Sequence, residues 1–203
     1  MKNHQLTKSN TRPLRRSAAA GFTLIEAALT MVIVGVGVLA MVSAQQAYHI
    51  KNDWAQRTGT AQMIANEIRE LTLTLPHHDP ITGSDTLGPE TNEQGTTPDP
   101  QTDVANYDDL DDFAGTVTGA GYGSGVTFSP PINGLRLPIT GMEQWSQVVT
   151  VENVFPDNLV ADSTNIQPLG STDMMRVNVA INYQLDSASP IETITTMTWI
   201  VAR

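Results

Sequence analysis

Residues 18–44 read AAAGFTLIEAALTMVIVGVGVLAMVSA, and one carboxylate stands among them. From 22 to 44 the chain is uncharged except at Glu26, the fifth residue of the run. At ~1.5 Å per residue, these 23 residues are long enough to cross a hydrocarbon core of ~30 Å. Residues 1–21 hold Lys2, Lys8, Arg12, Arg15 and Arg16 and no acid, a charge of +5. The whole chain carries −10, so residues 22–203 carry −15. A basic flank before an apolar run leaves that flank in the cytoplasm and the rest of the chain across the membrane. The acidic remainder argues against nucleic acid as a partner, because phosphate neutralisation supplies much of that affinity.

Three readings compete for this run. A secretory signal peptide could be cut after Val42-Ser43-Ala44, although the run is longer than the usual apolar region and contains a charge. A plain signal anchor could hold an unrelated domain. The third reading explains Glu26. A carboxylate at the centre of a membrane helix costs roughly 2.5–3.5 kcal/mol on insertion scales, so its default reading is functional. A cut between Gly21 and Phe22 creates an α-amine four residues from Glu26. Amine and carboxylate can then pair in apolar surroundings, and between subunits such a pair sets the axial register of packed helices.

Beyond Ala44 the chain is amphipathic. Ala47, Ile50, Trp54, Ala61, Ile64, Ile68, Leu71 and Leu75 follow a helical stride that Arg57 breaks once. Pro76 stops it. The pattern predicts one helix over 22–75, with its membrane part over 22–44 and a second half that needs a sheet to cover it. This continuity counts against cleavage after Ala44.

The motif GFTLIE, residues 21–26, with its basic leader and apolar sequel, resembles the class III signal of type IV pilins and type II secretion pseudopilins. The resemblance covers the first quarter of the chain. It implies that prepilin peptidase cuts after Gly21 and that Phe22 becomes an N-methylated terminus. It also implies that Glu26 acts in assembly. The implied partners are the peptidase, other pilin or pseudopilin subunits met through the N-terminal helix, an inner-membrane assembly platform and the inner membrane itself. The domain would stand in the periplasm before moving into a pilus or pseudopilus. Many type IV pilins carry a proline midway along this helix. This chain has none there, which makes Gly35 and Gly37 the expected weak points.

Residues 76–125 form an acidic, Gly- and Pro-rich variable segment. Between Arg69 and Arg136 there are eleven acids and no base. Residues 79–103 read as an exposed loop of low order, and His77-His78-Asp79 as solvated polar surface. NYDDLDDF, residues 106–113, is sharper. Asp108, Asp109, Asp111 and Asp112 could offer hard oxygen ligands to calcium, although the EF-hand pattern is absent. The competing reading is a solvated acidic turn anchored by Tyr107, Leu110 and Phe113. This stretch resembles the aspartate-rich motif of minor pilins in mannose-sensitive haemagglutinin pilus systems. The glycines at 115, 119, 121, 123 and 125 predict a flexible loop.

Residues 126–203 predict the periplasmic sheet. Met175, Val177, Val179, Ile181, Tyr183 and Leu185 alternate with polar residues, so one face is buried. Residues 191–202 and 145–154 read as further strands. GVTFSP and GLRLPI are weaker and confined to edges by proline. The expected class is α+β: one long helix packed on an antiparallel sheet of about four strands, which is also the fold the resemblance implies.

No cysteine, HExxH, G-x-S-x-G or Gly-rich phosphate loop is present, and the four histidines lie outside the predicted sheet. An enzyme is not expected, and no cofactor beyond the calcium question. A structural subunit, specifically a minor pilin or pseudopilin, fits best. A membrane-anchored periplasmic binding module or tip adhesin is the alternative, as is an anchored domain that does not assemble.

Overall fold

The computed structural model describes residues 21–158 and 165–202. The predicted leader therefore lies outside the described residues except for Gly21. The chain divides into two units, Met1–Ile50 and Lys51–Arg203.

Helix α1 spans Leu24–Thr72, 49 residues. Its start has a local cause. The Thr23 hydroxyl accepts from the Glu26 amide at 3.3 Å, and Glu26 Oε2 accepts from the Thr23 amide and hydroxyl, both at 3.0 Å. This reciprocal arrangement is a capping box, which satisfies amide groups that no helical carbonyl can reach. The helix runs unbroken through Gly35 and Gly37. At its far end the Leu73 amide still bonds to the Arg69 carbonyl four residues back, then the Thr74 and Leu75 amides reach only three back, to Leu71 and Thr72, at 3.4 Å each. Within the first unit the apolar side chains of α1 stand exposed, among them Leu29, Val34, Leu39 and Met41. This helix is long and apolar enough to cross a membrane.

The second unit is an α+β domain. Strands β1 (Val126–Phe128), β2 (Trp145–Val154), β4 (Met174–Tyr183) and β5 (Glu192–Ala202) form an antiparallel sheet in the order β1-β2-β4-β5. The short β3 (Ile166–Gln167), which carries no sequence signal, also pairs with β2. β1 lies at an edge, as Pro130 just beyond it predicts. GLRLPI forms no strand and contributes only an isolated bridge between Ile132 and Pro138. Arg136 there has φ near +64°, and its guanidinium reaches the carbonyls of Val104, Ala105 and Tyr107.

Alternation in β4 buries Met175, Val177, Val179, Ile181 and Tyr183, whereas Leu185 lies beyond the strand and is exposed. On the opposite face Arg176 is also buried, with its guanidinium 2.6 Å from Glu152 Oε2 on β2. Ala61, Ile64, Ala65, Ile68 and Leu71 of α1 complete the core together with Phe113, Phe128 and Val149. The stripe is covered only from Ala61 onward: Trp54 remains 57% exposed. The break at Arg57 has a physical use, because its guanidinium sits 4.3 Å from the centre of the Tyr183 ring.

Gln147 ties the layers together. It is fully buried on β2 and accepts from the Ile132 amide at 2.8 Å. Its side-chain amide donates to the carbonyls of Ile64 and Ile132, at 3.0 and 3.1 Å. One side chain thereby joins sheet, helix and the 132 segment.

The glycines after 113 form a tight turn rather than a flexible loop. Gly125 donates to the Ala114 carbonyl at 2.7 Å and Ser124 to Thr116 at 3.0 Å, while Val117 bridges Gly123. A Cβ on Gly123 would stand 2.4 Å from the Ala114 carbonyl oxygen. Only glycine permits that approach.

Candidate functional site

Residues 106–113 are built on two registers at once. Leu110 and the 3-10 helix Asp111–Ala114 turn the chain so that Tyr107, Leu110 and Phe113 enter the core. Phe113 meets the Tyr107 and Phe128 rings edge-on, with centroids 5.3 and 6.3 Å apart. The Leu110 amide bonds to the Pro76 carbonyl at 2.9 Å, which ties this turn to the end of the helix.

Of the carboxylates between these anchors, Asp109, Asp111 and Asp112 are buried too. Asp109 Oδ1 accepts from the Asp112 amide at 3.1 Å. Asp112 Oδ2 accepts in return from the amides of Asp108 and Asp109, at 2.9 and 3.1 Å. A second arm comes from the predicted loop of low order. That loop is a folded turn with buried acids. Glu93 Oε2 accepts from the Glu90 amide at 2.8 Å, and Glu90 Oε1 from the Thr82 hydroxyl at 2.9 Å. One carboxylate oxygen from each of Glu90, Asp109 and Asp112 lies within 4.8 Å of the others. Glu93, Asp108 and Asp112 make a second such group, so Asp112 belongs to both.

Burial pushes the Glu90 and Asp112 carboxyls up to about 7, helped by Glu93 at the first and by the charge of Asp109 at the second. Burial and then the charge of Asp111 push Asp109 well above the carboxylate range. Glu93 and Asp108 are raised mainly by burial. No lysine or arginine occurs between Arg69 and Arg136, and the Arg136 guanidinium is bound to backbone carbonyls.

Of the four aspartates singled out by sequence, Asp109 and Asp112 are brought together, with Asp108 exposed beside them. Asp111 is set apart. Its carboxylate accepts from the Gly88 amide at 2.8 Å and pairs with His78 Nδ1. The spacing explains this: residues 109 and 112, three apart, share a face of the turn that 111 does not. The histidine stretch is therefore not solvated surface. His77 and Asp79 are buried, and His78 is engaged with Asp111.

Sequence reading missed Glu90 and Glu93. The available signal was their own three-residue spacing within a segment devoid of bases. It also missed the capping role of Thr23, legible as Thr-x-x-Glu. Gly21 and Phe22 lie exposed just before α1, and Glu26 lies in its first turn.

Fold and site together define an α+β domain preceded by a helix able to cross a membrane, with a buried acidic cluster in the segment between helix and sheet. Comparison with protein-family models, curated proteins and solved structures finds no match to this chain.

Proposed function

We propose that this chain is a structural subunit of the pilin or pseudopilin type, a minor one, assembled into a fibre through its N-terminal helix. The observation that carries this reading is the start of α1: an exposed apolar run over 22–44 whose single carboxylate, Glu26, follows GFTLI. In this reading prepilin peptidase cuts after Gly21 and Phe22 receives the methyl group. The domain waits on the periplasmic side of the inner membrane until the assembly platform extracts it.

Glu26 has two separable roles in this proposal. Locally it caps the helix through Thr23. Between subunits it meets the new amine of Phe22, where water is scarce and Coulomb attraction is weakly screened. Stranding that amine costs about 3–5 kcal/mol, or two to three orders of magnitude in incorporation at ~1.4 kcal/mol per tenfold.

Three variants separate the roles: Glu26→Gln keeps an oxygen for the Thr23 amide, Glu26→Ala loses both roles, and Thr23→Ala weakens only the cap. The measurement is the ratio of fibre-associated to membrane-pool protein. The expected result is that both Glu26 variants fail to assemble while Thr23→Ala succeeds. Wild-type assembly of Glu26→Gln would leave only the capping role. Wild-type assembly of both Glu26 variants would favour an anchored periplasmic domain that does not assemble.

A further inference from the structure

We propose that Glu90, Asp109 and Asp112 bind one calcium ion that clasps the two arms of the acidic segment together. This inference is independent of the fibre reading, because it concerns only the domain.

The argument begins with three atoms. Glu90 Oε2, Asp109 Oδ2 and Asp112 Oδ1 are buried carboxylate oxygens with no hydrogen-bond partner. Their residues are 7%, 1% and 0% exposed. A buried carboxylate without a partner is among the costlier things a fold can contain. Here three occur in residues whose oxygens converge within 4.8 Å. Each such residue is also held by its other oxygen: Glu90 by the Thr82 hydroxyl, Asp109 by the Asp112 amide, Asp112 by two amides. Glu93 is held likewise by the Glu90 amide. The acids are thus oriented before anything binds, with one oxygen of each of the three left over.

Two kinds of group can satisfy the leftover oxygens: protons or a cation. Among the described residues no side-chain cation is placed to do it, since Arg136 bonds to carbonyls 104, 105 and 107. Protons would satisfy these oxygens one at a time, whereas a single cation among converging carboxylates satisfies all three at once.

The donor set decides which ion fits. It is all carboxylate, with no cysteine in the chain and no histidine in either group. That selects a hard cation over zinc or copper. Calcium accepts six to eight oxygens in irregular, partly bidentate arrangements, whereas magnesium demands near-ideal octahedral geometry and keeps its waters. Three converging carboxylates, with Asp112 shared with the neighbouring group of Glu93 and Asp108, suit calcium. Asp108 is exposed, so the second group opens to solvent and gives the ion a way in.

The consequence is structural. The ion joins the turn at 90–93 to the turn at 109–112, and the latter is rooted in the core through Phe113. In a chain without cysteine this supplies the cross-link that a disulfide would otherwise provide.

The test uses the full chain in detergent micelles, freed of divalent ions by chelator and dialysis. Calcium chloride is titrated by calorimetry, and thermal unfolding of the domain is followed with calcium, magnesium or chelator. The expected result is one calcium per chain and a melting point that calcium raises and equimolar magnesium does not. Glu90→Gln and Asp112→Asn keep the size of the side chain and an oxygen acceptor. Each should weaken calcium binding by at least about tenfold, since affinity follows ligand charge. Without calcium they should melt at or above wild type, because each removes an unpaired buried charge. Asp85→Asn, exposed and outside the cluster, should bind as wild type. No calcium binding by the wild type at millimolar ion would overturn the proposal. So would wild-type affinity in both cluster variants, an equal loss in Asp85→Asn, or an equal effect of magnesium.

Discussion

Gln147→Leu should detach the helix from the sheet more than any apolar truncation of similar size. Leucine fills nearly the same volume, so no large cavity forms and the loss is polar. The Ile132 amide and carbonyl each lose their bond to this side chain, and the Ile64 carbonyl loses its second donor. All of this happens at a position with no solvent access. Leaving a buried donor or acceptor unsatisfied costs about 1–3 kcal/mol. Ile64 keeps its helical bond and should contribute little. Two orphaned groups therefore give about 2–6 kcal/mol, a large part of the roughly 5–15 kcal/mol typical of a domain. At about 2–4 °C per kcal/mol for a chain of this size, the melting point should fall by roughly 10 °C. Near-ultraviolet circular dichroism is the suitable assay, since Trp145 and Trp199 report on the sheet, whereas α1 dominates the far-ultraviolet signal. A melting point for Gln147→Leu indistinguishable from that of wild type would refute the argument. It would mean that the polar groups around Ile132 find other partners when the amide is gone.

Three further outcomes follow from particular residues. Mass spectrometry of membrane-extracted protein should find Phe22 as a methylated N-terminus, and Gly21→Val should retain the leader; a terminus at Gln45 would restore the signal-peptide reading. Phe113→Ala should cost about 3–5 kcal/mol, because it removes a fully buried ring with two edge-on aromatic partners, and limited proteolysis should then cut within 76–125 first. The acidic cluster should make the calcium-free domain more stable at pH 5 than at pH 8. Burial raises Glu90 and Asp112 to about 7 and lifts Asp109 well above the usual range, with Glu93 and Asp111 adding like charge and Arg136 opposing the shift only at Asp108. The folded state therefore holds more protons than the unfolded state above about pH 4, and this contribution is lost as pH rises through about 7. A melting point that climbs steadily from pH 5 to pH 8 in chelator would contradict it.

Much of the fold was legible because its signals are periodic and local. A helical stride marked α1 to within about three residues at either end, and strict alternation marked β4 with its buried face. The capping box at Thr23 and Glu26 is equally local, a Thr-x-x-Glu pattern that gives Glu26 a role apart from its charge. The break at Arg57 could be seen in the sequence, but its meaning depends on Tyr183, far along the chain.

The acidic segment shows where sequence stops. Composition alone read 79–103 as a loop of low order, because eleven acids and many prolines and glycines between Arg69 and Arg136 promise little burial. What the sequence by itself determined was the existence of a membrane-capable helix, an antiparallel sheet and a cluster of aspartates between them. Only the tertiary structure decided which carboxylates converge. Asp111, adjacent to Asp112 in the chain, turns away to Gly88 and His78, while Glu90, nineteen residues before Asp109, turns in. Side-chain direction in an irregular segment is set by which anchors reach the core, here Tyr107, Leu110 and Phe113, and by where the chain before it is brought back. Neither has a period that a sequence can display.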